Sequence, residues 1–228
     1  MDTNYLLFRN LFLDNEAIRD GHFVFTGNFH SRYLIDFGRI LYDTRSSNKL
    51  MAKLFEPFKN EPVTKIVTPS QTEGYVLAHG VAKKFNAKVY RVECREGIIY
   101  IPDHLEINTK DKVLLVDNAI NTGNSMKQLL SIVAKTGALC CGISVCISRY
   151  PFSLSDFGVR VETIFDFSKM YPIINTNIDD CDQCVVFSII SARLESELLR
   201  DEKKRLMIMK MKIKPVLEST EWTSLIVE

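Results

Sequence analysis

Residues 113–125, Val-Leu-Leu-Val-Asp-Asn-Ala-Ile-Asn-Thr-Gly-Asn-Ser, join an apolar run, an acid, a short polar loop and a helix start. A strand that feeds a helix through such a loop makes an anion site. The first-turn N–H groups and the positive end of the helix dipole face whatever binds there. Gly123 lets the backbone come close to that ligand, and Thr122 and Ser125 add hydroxyl donors. Asp117, at the mouth of the strand, is positioned to accept hydrogen bonds from sugar hydroxyls. The chemistry indicated is the binding of a phosphorylated sugar.

A second turn of the same kind lies upstream, at Thr68-Pro69-Ser70-Gln71-Thr72-Glu73-Gly74. Its small donors suit a diphosphate held by backbone N–H groups, although many strand-to-helix turns share this chemistry. Residues 93–112 interrupt the regular pattern, and Arg95, Lys110 and Lys112 flank that stretch. A segment of this length without periodicity is either a mobile functional loop or a small β excursion. Cations there would suit negative charge building on a leaving group; otherwise they are solvated loop charges. Cys181-Asp182-Gln183-Cys184 could be half of a zinc site. No second cysteine pair or histidine pair follows it, and His22, His30, His79 and His104 all lie far upstream. Zinc at Cys181 and Cys184 is therefore not expected, and a redox or structural role is.

The elements that must position these residues follow from periodicity. Lys65-Ile66-Val67 reads as a strand, and Ala78, Val81, Ala82 and Phe85 then form one face of a helix. Residues 88–92 and 113–116 read as further strands. Met126, Leu129, Leu130 and Val133 mark the next helix, with Gly137 at its stop. Leu139 to Ile147 is almost wholly apolar, as a strand buried on both faces must be. Strands alternating with single helices predict an α/β fold with a doubly wound, mostly parallel sheet. Residues 1–59 read as a small N-terminal cap of mixed helix and strand, with turns expected at Asp20-Gly21 and Gly27-Asn28. Residues 60–189 read as the α/β core. Residues 190–228 read as a charged, helical tail, dense in alternating charge from Arg193 to Lys214.

The chain's 228 residues allow one sizeable α/β domain with a tail, or two small domains. Net charge is +1, so nothing global draws the protein to nucleic acid or to an acidic membrane. No apolar run reaches the length of a membrane span, and the N-terminus lacks a signal peptide's basic start. Six scattered cysteines suit a reducing cytoplasm better than a disulfide scaffold.

The 113–125 stretch resembles the phosphoribosyl pyrophosphate (PRPP) signature of type I phosphoribosyltransferases. That signature has a hydrophobic strand, two acids, two small residues and Thr-Thr-Gly-x-Ser. Here the second acid is Asn118 and the first threonine is Asn121. The 68–74 turn occupies the position of the family's pyrophosphate loop. Residues 23–36, Phe-Val-Phe-Thr-Gly-Asn-Phe-His-Ser-Arg-Tyr-Leu-Ile-Asp, are similar to the N-terminal segment of orotate phosphoribosyltransferases, with Thr26 replacing the usual serine. The resemblance covers about residues 20–185.

It implies the fold derived above, and transfer of phosphoribose from PRPP, bound with Mg²⁺, to an orotate-like base. Asp117 and Asn118 would be catalytic, with Asp117 reaching the ribose and its metal. Asn121, Thr122, Gly123, Asn124 and Ser125 would cradle the 5′-phosphate, and Ser70, Gln71, Thr72, Glu73 and Gly74 would face the pyrophosphate. Phe25, Thr26, Gly27 and Ser31 would cover the base. Arg95, Lys110 and Lys112 would reach the leaving group from a loop shared across a homodimer. Asn118 removes a negative charge beside a cationic transition state, a loss worth about 10²-fold or more in rate. That opens two alternatives: a PRPP- or nucleotide-sensing regulator, or a subunit of a larger defence or toxin assembly docked through residues 190–228.

Overall fold

The computed structural model describes residues 3–25, 29–69, 72–95, 98–102, 105–149, 156–169, 174–175, 180–181, 184 and 224–226. They divide into two compact units. The larger holds residues 1–17 and 36–170, the smaller residues 18–35 and 171–228.

Five strands build the larger unit: β3 (Lys65–Thr68), β4 (Lys88–Arg91), β7 (Lys112–Ile120), β8 (Leu139–Ser148) and β9 (Val161–Asp166). They pair in the order β4-β3-β7-β8-β9, every neighbour parallel. Helices cover both faces, which is why β3 is buried along its whole length and β7 along most of it. Alternation divides the side chains between the faces. Val67, Val113, Leu115, Ile143 and Val145 point into one core with Met126, Leu129 and Val133 of α5 (Asn124–Lys135). Helix α4 (Thr72–Phe85) lies against β3 and β7 and packs on α3 (Thr44–Phe55). Gly137, at φ 74, follows the end of α5 as its expected stop.

The 93–112 stretch contains a β excursion: β5 (Glu93–Arg95) pairs antiparallel with β6 (Ile98–Tyr100). The expected cap boundary at residue 59 is displaced. Helix α1 (Thr3–Phe8), the π-turn Arg9–Leu13, α2 (Phe37–Tyr42) and α3 all belong to the larger unit. The reason is packing at the β9 edge. Phe12 meets Phe37, Phe165 and Phe167 at centroid distances of 6.1, 5.4 and 5.2 Å, and the Ser144 hydroxyl donates to Leu54 O at 2.8 Å. Burying each phenyl ring contributes about 1.5–3 kcal/mol, enough to hold these segments to the sheet.

The smaller unit is a sheet in the order β10-β2-β1-β11. Its centre is the antiparallel pair β1 (Ile18–Phe25) and β2 (Phe29–Ile35). Two short strands flank it: β10 (Ile174–Asn175) beside β2, and β11 (Ser224–Ile226) parallel to β1. Asp20-Gly21 is not a turn, as expected, but part of β1, where the register slips between Asp20 and Phe23. Two residues, Gly21 and His22, there oppose Arg32 alone, which is a β-bulge. Gly27-Asn28 lies outside the described residues. So does most of the expected helical tail; its described part, β11, is a strand.

Candidate active site

Strands β3 and β7 are neighbours, with Val67 level with Leu115, so Thr68 and, one position further on, Asp117 both reach the carboxyl edge of the sheet. Each strand hands over to a helix there, α4 after Thr68 and α5 after Ile120. Two helix N-termini therefore open at one edge. This is where open parallel sheets hold their ligands.

Asp117 is buried, 6% exposed, and Oδ1 accepts the backbone N–H of Asn118 at 2.8 Å. Burial pushes its carboxyl up to about 7; the Asn118 N–H opposes that shift, and the charge of Glu73 adds to it. Gly74, in the first turn of α4, stands directly against this carboxylate. A Cβ there would collide with Asp117 Oδ1 and come within 3.1 Å of Thr68 Oγ1. The Thr68 hydroxyl is fully buried and has no hydrogen-bond partner among the described residues. A buried hydroxyl without a partner costs free energy, so it marks a place where a ligand or water belongs.

The second loop has matching features. Gly123 takes φ 81 and, as the N-cap residue, offers no capping side chain to α5, whose N-terminus opens at this loop. Thr122 Oγ1 accepts from Asn124 N at 3.4 Å, and Asn121 Oδ1 is buried without a partner among the described residues. Asn124 and Ser125 are exposed in the first helical turn. Phe157 packs over the loop: a Cβ on Gly123 would lie 3.0 Å from its ring, and Lys127 Nζ sits 5.8 Å from its centroid. Spacing alone could not have revealed Phe157. Arg149, also unremarked in the sequence, follows β8 at the same edge and donates its backbone N–H to Ile120 O at 2.9 Å. Its guanidinium is buried, and burial lowers its pKa to about 10, so it stays charged. A cation directly after a buried parallel strand was the available signal.

Among the residues expected at the diphosphate turn, Thr72, Glu73 and Gly74 open α4, while Ser70 and Gln71 lie outside the described residues. Thr26 and Gly27 also lie outside them. Phe25 ends β1, opposite Phe29, and Ser31 is buried in β2 with its hydroxyl accepting from Tyr33 N at 3.0 Å. Arg95 closes β5 opposite Ile98, and its side chain is outside those described.

Lys110 and Lys112 lie at the other end of β7. Lys112 begins β7, level with Leu139, and Asp117 follows five positions later, roughly 16 Å along the strand. Both lysines therefore sit at the amino edge of the sheet, away from the two helix N-termini. A solvent-open cleft at that edge, lined by Lys65, Lys88, Tyr90 and Asp111, lies on the wrong side of the sheet for the same chemistry.

The oxygen donors of the carboxyl edge fit a hard cation carried by a phosphorylated ligand. They are the Asp117 carboxylate and the Thr68 hydroxyl. A second donor set of different character occurs in the smaller unit. His22, His30, Cys181 and Cys184 each offer a ligand atom, and the four atoms lie within 4.8 Å of one another. The sequence expectation of no zinc rests on the histidines lying far upstream of the cysteines. That separation exists only along the chain.

No protein-family model matches this chain. The orotate phosphoribosyltransferase of Caldanaerobacter subterraneus subsp. tengcongensis is 26% identical over 149 residues, 65% of this chain and 77% of that protein. The crystal structure of the Aeropyrum pernix orotate phosphoribosyltransferase superposes with a TM-score of 0.60 at 19% identity, over 71% of this chain and 94% of that one. An adenine phosphoribosyltransferase from Rhodothermus marinus gives a TM-score of 0.54 at 20% identity, over 71% and 99%. The same fold thus serves a pyrimidine and a purine, so the base has to be argued from elsewhere.

Proposed function

We infer that this chain, a member of the type I phosphoribosyltransferases in their orotate-like branch, binds PRPP and transfers its phosphoribosyl group to a nucleobase. An orotate-like pyrimidine is the base we propose, because the sequence relatives bear that name. One observation carries the reading. The buried Asp117 carboxylate faces Gly74 and the partnerless Thr68 hydroxyl, between two helix N-termini.

In this reading the α5 turn, Asn121 to Ser125, receives the 5′-phosphate on its N–H groups and hydroxyls. The first turn of α4 receives the diphosphate, and Gly74 leaves the room for it. Asp117 accepts hydrogen bonds from the ribose hydroxyls and thereby fixes C1 for attack. The base nitrogen gives up its N–H proton to solvent and forms its bond to C1 as the C1–O bond breaks, and the bonding pair leaves with pyrophosphate. Magnesium carried by the substrate would neutralise the diphosphate, with Asp117 and Thr68 as the oxygen donors at hand. Arg95 in β5 and the 93–100 hairpin are our candidates for the leaving-group side. A homodimer, a cytoplasmic location and base coverage by Phe25 to Ser31 belong to the same proposal.

Asn118 supports a second reading. It supplies an amide where the family signature has an acid, so Asp117 acts without a charged neighbour in the motif. A protein of this kind could bind PRPP and report it, directly or to a partner docked through residues 190–228. Purified chain with PRPP, Mg²⁺ and orotate decides between the two. Loss of the orotate absorbance with release of pyrophosphate supports transfer. If no base in a purine and pyrimidine panel turns over while PRPP still raises the melting temperature, the binding reading stands in its place.

A further inference from the structure

The geometry points to a structural zinc site built from His22, His30, Cys181 and Cys184, which fastens the segment after β10 onto the β1–β2 hairpin. Four of the six distances between the ligand atoms lie near those of a tetrahedron. His30 Nδ1 and His22 Nε2 are 3.4 Å apart. Cys184 Sγ lies 3.0 Å from His22 Nε2 and 3.5 Å from His30 Nδ1, and Cys181 Sγ lies 3.7 Å from His22 Nε2. With Zn–N of about 2.0–2.1 Å and Zn–S of about 2.3 Å, tetrahedral ligation separates two nitrogens by about 3.4 Å and nitrogen from sulfur by about 3.5 Å. These four separations lie within about 0.5 Å of those values.

The fold brings these residues together by identifiable means. His30 lies directly across the ladder from Val24, and alternation puts the side chain of residue 22 on the face of residue 24. The bulge at Gly21-His22 then re-aims His22 toward His30. On the other side of β2, Ile174 of β10 pairs with His30 itself, so the chain leaves β10 beside the histidines, and Cys181 follows within a few residues of its end. Cys184 follows at the spacing that lets a Cys-x-x-Cys loop grip one ion. His22, His30 and Cys184 are buried, and all six cysteines are free of disulfides.

Ligand chemistry selects the metal and the role. Two thiolates and two imidazoles in a tetrahedron favour zinc over magnesium, calcium or manganese. Four protein ligands leave no open position for water or substrate, so the ion holds structure and does no catalysis. Its binding free energy becomes stability of the smaller unit, whose short β10 strand offers little else. Ligation through His22 Nε2 and His30 Nδ1 puts the proton on the other ring nitrogen of each.

The test uses the full chain, purified in a reducing buffer without chelator, and reads metal instead of turnover. Elemental analysis should find roughly one zinc per chain, and Cys181→Ser or Cys184→Ser should lower that at least about tenfold. Cobalt replacing the zinc in wild type should show the intense visible bands of a tetrahedral site and a thiolate charge-transfer band. Because the cobalt spectrum needs only wild-type protein, a variant that fails to fold does not block the test. Wild type without zinc and without the thiolate–cobalt band overturns the site, as does an intact Cys181–Cys184 disulfide in freshly isolated protein. Transferase activity plays no part in these outcomes, so this site and the proposed function stand or fall separately.

Discussion

Gly74 and Asp117 face each other so closely that a Cβ on Gly74 would collide with the carboxylate oxygen Oδ1. The first turn of α4 and the end of β7 thus share a space that only glycine leaves open. Gly74→Ala should leave the fold intact, since alanine in a helix is favoured over glycine by about 0.5–1 kcal/mol. The methyl group must nevertheless displace the Asp117 side chain. We expect affinity for Mg²⁺·PRPP to fall at least about tenfold, as a misplaced binding group does. Calorimetric titration of both proteins checks this, and equal affinities would remove Gly74 and Asp117 from the binding site.

Asp117 also makes a prediction about pH. Its folded pKa of about 7 lies above the ordinary value of about 3.9, because burial disfavours the charged form. The stability associated with the protonated group is complete below pH ~4 and is lost as pH rises toward 7. A shift of about three units corresponds to at most about 4 kcal/mol. Asp117→Asn, which mimics the neutral acid, should therefore melt higher than wild type at pH 8, and the gap should close at pH 4. The same variant should lose affinity for PRPP. Parallel melting curves at all pH values would mean that Asp117 is not held in a desolvated site.

Much of the larger unit could be read along the chain. Buried parallel strands show up as apolar runs, Val113 to Val116 in β7 and Leu139 to Ile147 in β8, and α4 and α5 carry the helical period on one face. Other features depend on partners distant in sequence. Nothing within residues 36–55 tells whether α2 and α3 pack on the sheet or on a separate cap; the Phe12 cluster and the Ser144–Leu54 bond decide it. His22 and His30 join Cys181 and Cys184 only because β10 pairs beside β2. Two- and three-residue strands such as β10 and β11 carry too few side chains to register a period. For Lys110 and Lys112 the charge was visible, but which end of β7 they occupy was not.

Asn118 is 9% exposed and adjoins the Asp117 carboxylate through its backbone N–H. Asn118→Asp would place two acids in one desolvated site. Burial of a second carboxyl should lower the melting temperature of the ligand-free protein above pH ~4, with repulsion between the two charges adding to the loss above pH ~7, and Mg²⁺ should recover part of it. If Asn118 merely weakens a working enzyme, restoring the acid should raise the transferase rate on the order of 10²-fold. A steady-state assay with orotate checks the rate. An unchanged rate in a protein that already turns over would mean that the second acid is not what limits it.

The amino edge of the sheet supplies the control for these site variants. Lys65 and Asp111 form a buried ion pair at 2.7 Å. Asp111 also accepts from Asn108 N at 2.9 Å and from the Thr64 hydroxyl at 3.2 Å, while Lys65 donates to Glu106 O. Burial opposes both charges, but the hydrogen bonds and pairing prevail: the Asp111 carboxyl is held below its usual range and Lys65 above its own. Stability from Asp111 is therefore present above pH ~4 and is lost as pH falls through its lowered pKa. Lys65→Met alone leaves a buried carboxylate without its cation and should cost about 3–5 kcal/mol at pH 7. The double variant Lys65→Met/Asp111→Leu should recover most of that. Urea unfolding at pH 7 and pH 3 measures both effects. Because this pair lies at the opposite end of β7 from Asp117, PRPP affinity should be unchanged in the folded double variant and in Lys110→Ala and Lys112→Ala. A loss of affinity in either lysine variant would return the amino edge to the binding site.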